Sequence, residues 1–399
     1  MSISSQKKLL LLGAVTSTIP LIKKARERGI HIITCDYLPQ NEGHQYADES
    51  YYYSTTDIDA ILELSRRIQI DGILSFNSDV SALTAAMVAE QMGLSGNKPE
   101  VINTMTQKHL FRLFLKEHHF NVPEFGCYIS IEEWKVDEDK FSFPLIVKPV
   151  DLSGSKGVKM VNNKVELECA FANAYQLSRA HKVIIEEYIK PKGCQLHGDG
   201  FAQNGKLLFA CLGDHHYGLK MQNFVPYSTT FPSEHTQNEI EAVLNDVRRF
   251  LSEIGFNSGG LNIEARITED GKVYIMEIGP RNGGNFTPRI IEYATGFDFD
   301  NAAVNASLGL ETKYDIHPIN GYYAYYVLHS DKAGCFESIE YDKFLNEHTF
   351  EEWLYVKKGE NVETFNGGNK ALGTLLEHID SRDELEDLLT DSHYVVKKM

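Results

Sequence analysis

Residues 260–284 read GLNIEARITEDGKVYIMEIGPRNGG, two strand-like runs on either side of Asp270-Gly271. An Asp-Gly pair between alternating apolar runs marks a hairpin, because a two-residue type I′ turn requires positive φ at both central positions. Counting outward from that turn pairs Ile267 with Tyr274, Ala265 with Met276 and Glu264 with Glu277. Cross-strand neighbours stand roughly 4.5–5.5 Å apart, and like charges placed opposite one another are destabilising. A divalent cation such as Mg²⁺ would relieve the pair, since it takes carboxylate oxygens and shares its remaining positions with phosphates. An exposed hairpin whose Glu side chains splay into water is the plainer reading. The residues that follow shift the balance toward the cation. Gly279, Pro280, Arg281, Asn282, Gly283, Gly284 and Asn285 form a glycine-rich bend, where backbone can approach a ligand and the Arg281 guanidinium can fork onto phosphate.

The 399 residues suffice for two or three domains, and 42% hydrophobic with 24% charged residues is an ordinary globular composition. A net charge of −17 leaves no basic footprint for nucleic acid, so an anionic ligand must be held by local cations. The apolar run Leu9 to Leu12 is too short for a membrane span and has no cleavage-like flank, so it reads as a buried strand of a cytoplasmic protein. Cys35, Cys127, Cys169, Cys194, Cys211 and Cys335 are scattered without a CxxC, which argues against zinc and against a disulfide framework. In His118-His119 and His215-His216 the neighbours point to different faces, as packing or surface residues do.

Up to residue 102 the chain alternates strand and helix signals, as in KKLLLLGA, Ile19 to Gly29, HIITCDY, Ile58 to Ile68, DGILSF and Val80 to Met92. Such alternation implies a parallel sheet of βαβ units, with ligands gathered at strand C-terminal ends. No GxGxxG follows Gly13, so a dinucleotide fingerprint is absent. A helix is expected from Asn103, capped by Asn103 or Thr104, with Lys108 and Arg112 four apart on one face; a solvated basic face is the plain reading of that spacing. FPLIVKPV then precedes Ser153, Gly154, Ser155, Lys156 and Gly157, a loop able to wrap phosphate or to be a simple hairpin tip. VIIEEYI is an apolar strand ending in carboxylates, and QLHGDGFAQNGKLLFACLG is a strand pair about Asn204-Gly205. A helix over 236–254, the opening hairpin, a helical stretch PRIIEYATGFDFDNAAVNASLG and a mixed tail ending in a helix over Arg382 to Leu389 complete the chain.

Lys108, the strand VKP with its Gly/Ser loop, the strand IIEEYI, a polar residue before DGF and the hairpin ending ME-I-G-P-R together resemble the ATP-grasp superfamily. The resemblance is to the branch with biotin carboxylase, carbamoyl phosphate synthetase halves, purine-pathway carboxylate ligases and L-amino acid ligases. It implies an α/β and α+β chain with an ATP-grasp fold: a Rossmann-like pre-grasp domain over 1–102, the grasp over 103–310 with a flexible small lobe at about 140–190, and a small C-terminal module over 311–399.

What the resemblance implies for individual residues is specific. Lys108 and Lys148 become the cations on the ATP phosphates, with Ser153, Gly154, Ser155 and Gly157 in the closing loop. Glu186, Glu187, Tyr188 and Ile189 become the adenine hinge, and Gln195 occupies a ribose position where the family usually has Glu. Glu264 and Glu277 become the Mg²⁺ ligands, with Mn²⁺ as a substitute metal, and Arg281 contacts the transferred phosphoryl group. The family's Glu-x-Asn-x-Arg is broken by Gly279, and Asn262, opposite it in register, is the expected replacement ligand, with Asn282 as competitor. Arg281, Asn282, Asn285 and Arg289 are the substrate-binding candidates, and His215, His216 and Tyr217 could line the pocket or merely pack. The implied activity is an ADP-forming carboxylate–amine ligase acting on small molecules through an acyl phosphate, with a homodimer allowed. A bicarbonate-using carboxylase and a decayed nucleotide-binding protein are the alternatives.

Overall fold

A computed structural model of the chain describes residues 6–218, 224–365, 367–390 and 393–399. The opening hairpin forms, and it lies at one edge of an eight-stranded antiparallel sheet. Its register is reached differently from the sequence count. The loop has three residues, with Thr268 N–H donating to Lys272 O at 3.0 Å, and Gly271 alone carries the left-handed φ, at 77°. Ala265 therefore faces Ile275 and Ile267 faces Val273, each one residue off the expected partner. Met276 is the extra residue of a β-bulge, and beyond it Glu264 faces Glu277 and Asn262 faces Gly279 as expected. A bulge cannot be read from alternation, because it leaves both strands apolar.

The sheet order runs from the edge strand Val273–Gly279 through Gly259–Ile267, Gln195–Gln203, Lys206–Tyr217, Pro226–Phe231, Tyr322–Leu328 and Gly373–Ile379 to Thr349–Leu354. Strand alternation divides its faces. Leu261, Ile263 and Ile267 pack with Val243, Val247 and Phe250 of the helix Gln237–Ile254, which leaves Asn262, Glu264 and Arg266 on the opposite, cleft face. That helix starts on a capping box in which Thr236 and Glu239 satisfy each other's backbone N–H groups. The last three strands come from beyond residue 311, so the C-terminal segment continues the large sheet as well as building a small one from Asn361–Val362, Gly334–Tyr341 and Tyr394–Lys398.

Two further sheets flank the cleft. Lys8–Leu12, His31–Cys35, Glu49–Tyr51 and Gly72–Leu74 form the expected parallel sheet with helices Ile19–Glu27, Ile58–Ile68 and Asp79–Met92. A small lobe of Phe125–Tyr128, Val183–Glu187, Leu145–Pro149 and Lys159–Val161 carries the helix Lys164–Leu177. The helix expected from Asn103 is two helices, Pro99–Thr106 and Lys108–Glu117, because Gln107 is extended between them. The boundary expected at 102 falls inside the first of these.

The large sheet contains a titratable feature outside the cleft. Glu377 is fully buried, its Oε2 has no hydrogen-bond partner among the described residues, and burial pushes its carboxyl up to about 8. The folded chain thus keeps a proton that the unfolded chain releases near pH 4.3. Stability from this group is full below that value and falls by about 1.4 kcal/mol per pH unit up to about pH 8. Glu377→Gln removes the proton uptake, so its unfolding midpoint should gain on the wild type progressively between pH 5 and 8. A constant difference across that range would contradict the assignment.

Candidate active site

Between the small lobe and the large sheet lies a cleft of about 360 Å³, closed at one end by the parallel-sheet domain through Asn77 and Asp79. Its floor is built by alternation on adjacent strands: Glu277, then Glu264, then His197 share one cross-strand row. Lys108, at the start of its helix, places Nζ 2.8 Å from Glu277 Oε2. Burial works against ionising Glu277, yet Lys108 outweighs it and holds the carboxyl at about 2. Burial, with Glu277 beside it, instead raises Glu264 above the usual carboxylate range. Gln195 donates to Glu264 at 2.9 Å. Two half-buried carboxylates thus stand side by side with one lysine on Glu277, and this crowding of negative charge on oxygen donors fits a hard divalent cation.

Lys148 projects from the small lobe onto Glu186, which also accepts from Arg112 Nε at 3.0 Å. The basic face expected on the Lys108–Glu117 helix is therefore not solvated: Arg112 is 2% exposed and also donates to Ile275 O. Glu186 thus turns its side chain to both Lys148 and Arg112. Glu187 and Ile189 line the cleft. Tyr188 packs its ring under Arg266, whose guanidinium carbon is 4.9 Å from the ring centre, and is not among the lining residues. The Gly/Ser loop contributes Ser153, Gly154 and Ser155 to the wall; Gly154 and Ser155 are both left-handed, and Ser155 Oγ donates to Phe224 O at 2.6 Å. Gly157 lies behind them, against Leu177 and Pro149.

Arg281 reaches the cleft as a fork on Asp79, with Nε–Oδ1 at 2.9 Å and Nη2–Oδ2 at 2.7 Å. Gly279 lies directly against this fork. A Cβ there would lie 3.1 Å from Asp79 Oδ1 and 3.2 Å from Arg281 Cζ, so a side chain at 279 would press on the fork. Asp79 was not singled out by sequence reasoning, although it begins a helix just after a parallel strand, where ligands of such sheets gather. Asp199 was passed over as well. It is fully buried and accepts from Asn262, from Asn282 and twice from Gly283 N–H, which fixes the bend that carries Arg281. Burial lifts its carboxyl to about 6 against those hydrogen bonds.

The remaining expected residues divide. Asn262 lines the cleft with its amide nitrogen committed to Asp199 and His197, and Asn285 lines it as well. Gln195 is there too, but its carbonyl accepts from Arg266 while its amide serves Glu264. Asn282 is 1% exposed and turned onto Asp199, so its side chain does not line the cleft. Arg289 pairs with Glu351 at 2.7 Å and Tyr293, tying its helix Thr287–Thr295 to the strand Thr349–Leu354 outside the cleft. Both expectations took polarity near a glycine bend for access. His215 and Tyr217 line the cleft, while His216 bonds Thr230 on the other face.

A family model described as the ATP-grasp domain matches residues 141–289. The carbamoyl phosphate synthase large chain of Methanocorpusculum labreanum is 23% identical over 331 residues, covering 77% of this chain and 30% of that one, so this chain spans less than a third of that relative. Among solved structures, the L-amino acid ligase of Bacillus licheniformis superposes with a TM-score of 0.82 at 19% identity, covering 99% of each chain. The biotin carboxylase domain dimer of the Hydrogenobacter thermophilus 2-oxoglutarate carboxylase, solved with MgADP, ADP and bicarbonate, gives 0.77 at 18% identity over 98% of this chain and 90% of that one. Lys108 and Arg112 fall outside the matched range, yet they meet Glu277 and Glu186 within it. Residues 141–289 thus match the ATP-grasp domain, and the chain as a whole shares the fold of the L-amino acid ligase and biotin carboxylase structures.

Proposed function

We propose that the chain is an ATP-dependent carboxylate–amine ligase. The observation that carries this reading is the convergence of Lys108, Lys148, Arg281 and the Glu264–Glu277 pair on one cleft. Lys108 and Lys148 bind the ATP phosphates, exchanging their present carboxylate partners for phosphate oxygens. Glu264 and Glu277 hold Mg²⁺, with Asn262 as a further oxygen ligand. When bound, Mg²⁺ supplies charge neutralisation between the phosphates. Arg281, oriented by Asp79, binds the transferring phosphoryl group. The substrate carboxylate attacks the γ-phosphorus and ADP leaves; an amine then attacks the acyl carbon of the acyl phosphate, and inorganic phosphate leaves with formation of the C–N bond. Such transfer depends on positioning and charge, so no protein nucleophile is needed.

The Ser153–Gly157 loop closes over the phosphates, Glu187 and Ile189 read the adenine by their backbone, and Gln195 faces the ribose. The reading carries with it a cytoplasmic enzyme and a homodimer, which sedimentation tests. No helix among the described residues is long and apolar enough to cross a membrane.

The test is release of ADP, AMP and phosphate from Mg-ATP in the presence of pooled amino acids, hydroxy acids, bicarbonate and amines, with product masses recorded. ADP formation that requires an organic acid and yields a condensed product is the expected result. ADP with bicarbonate alone would replace the ligase by a carboxylase, and AMP would contradict the acyl phosphate.

A further inference from the structure

Beyond the Glu264–Glu277 pair, the cleft floor ends in a set of uncharged polar groups whose protons can be assigned. Asn262 Nδ2 donates one proton to Asp199 Oδ1 at 2.9 Å, shared with Gly198 O at 3.3 Å, which fixes it as the nitrogen and leaves its second proton for His197. Its 3.0 Å contact to His197 Nε2 then makes that nitrogen an acceptor, so the proton of a neutral His197 is on Nδ1, facing Thr229 Oγ1. Thr229 gives its own hydroxyl proton to Tyr325, at 2.8 Å. His215 Nδ1, 2.6 Å from the same Thr229 oxygen, must therefore be a donor as well. The consequence is a bare lone pair on His215 Nε2, an atom with no hydrogen-bond partner among the described residues, in a side chain that lines the cleft.

Next to it stands a spare donor. Tyr325 lines the cleft and hydrogen-bonds Asn285. Between one O–H and one NH₂ group, a single proton closes that contact, and whichever way the amide is turned others are left over. The Asn262 contact leaves His197 Nε2 without a proton, and burial lowers His215 well below 6.5, with His197 and His216 adding to the effect. Of the charged neighbours, Arg281 is paired with Asp79 and Glu277 with Lys108, while Glu264 accepts from the Gln195 amide. Tyr217, edge-on to His215 with ring centres 5.4 Å apart, supplies an apolar side.

We infer that this end of the cleft is a specificity pocket for an uncharged group that both donates and accepts hydrogen bonds, such as a carboxamide or an azole ring, carried by the carboxylate substrate. The inference rests on the ligase reading for its assignment to the carboxylate. The substrate N–H donates to His215 Nε2, and its carbonyl or ring nitrogen accepts from Tyr325 or Asn285. A carboxylate in the same place would face the histidine lone pair with Glu264 in the neighbouring row, and an ammonium would set its donors against those of Tyr325 and Asn285, both of which are costly in a buried site.

The test is calorimetric titration of the full chain loaded with Mg-ADP, using four acids of similar length: succinamate, succinate, γ-aminobutyrate and valerate. Succinamate should bind at least about tenfold more tightly than the other three. His215→Phe should abolish that preference and Tyr325→Phe should reduce it, with Mg-ADP binding measured on each variant as the control for folding. Equal or tighter binding of a charged or apolar acid, no binding by any of the four, or a preference that survives His215→Phe would overturn the pocket. The ligase reading is judged separately by adding amines and Mg-ATP. Selective succinamate binding without ADP formation would sink the ligase and leave the pocket standing, whereas ADP formation without selectivity would do the reverse.

Discussion

Glu277→Gln should leave the chain folded and lower Mg-ATP-dependent turnover by about a hundred- to a thousandfold, the usual cost of removing one group that organises developing charge. The substitution keeps size and hydrogen-bonding shape while removing one of the two carboxylate charges that face each other across the hairpin. Lys108 loses the partner now 2.8 Å from its Nζ. Glu264, raised by burial and then by Glu277, should ionise more easily once its neighbour is neutral, so the variant still offers one carboxylate to a metal. Affinity for Mg-ADP should therefore fall sharply, while affinity for metal-free ADP should hold or improve as Lys108 is released to the phosphates. Turnover and Mg²⁺ dependence that survive the substitution would remove Glu277 from the metal site, whatever the fold says.

That pair shows how sequence and structure divide the information. Glu264 and Glu277 were legible because hairpin alternation is periodic, and the two errors in the count, a three-residue loop and a bulge at Met276, compensated each other. The parallel sheet and most helices were legible for the same reason, since burial follows a period of two or of 3.6. Interactions across domains carry no period. Asp79 and Arg281 are 202 positions apart, and Arg112 and Glu186 are 74 apart. Local pattern could therefore present Arg112 only as part of an exposed basic face. Asn282 and Arg289 failed for a related reason, because polarity next to glycines does not reveal whether a side chain turns into a cleft or into a buried carboxylate. Gly279, where a ligand is missing from the pattern, lies against the Asp79–Arg281 fork, and a Cβ there would stand 3.1 Å from Asp79 Oδ1.

Arg112→Met should be the most destabilising change in the cleft, at about 3–5 kcal/mol near neutral pH, because it leaves a buried carboxylate short of its partner. Arg112 and Glu186 are 2% and 1% exposed, so solvent does not stand in for the missing guanidinium. The arginine also donates to Ile275 O, which joins its helix to both the small lobe and the large sheet. Burial opposes the charge on Glu186, and Arg112 and then Lys148 overcome it, holding the carboxyl at about 2. A folded pKa below the unfolded value near 4.3 means stability that is present above pH 4.3 and lost as pH falls through about 2. In the variant the folded pKa climbs, so the deficit should be largest at pH 7 and shrink by pH 3, where Glu186 becomes protonated in the variant without cost. Denaturant unfolding at the two pH values measures this, and a deficit under about 1 kcal/mol or one independent of pH would show that the pair does not carry the packing. The same change bears on nucleotide binding. With Arg112 gone, Glu186 has only Lys148 to balance it, the lysine is less free to turn to phosphate, and the apparent KM for ATP should rise in the fraction that remains folded.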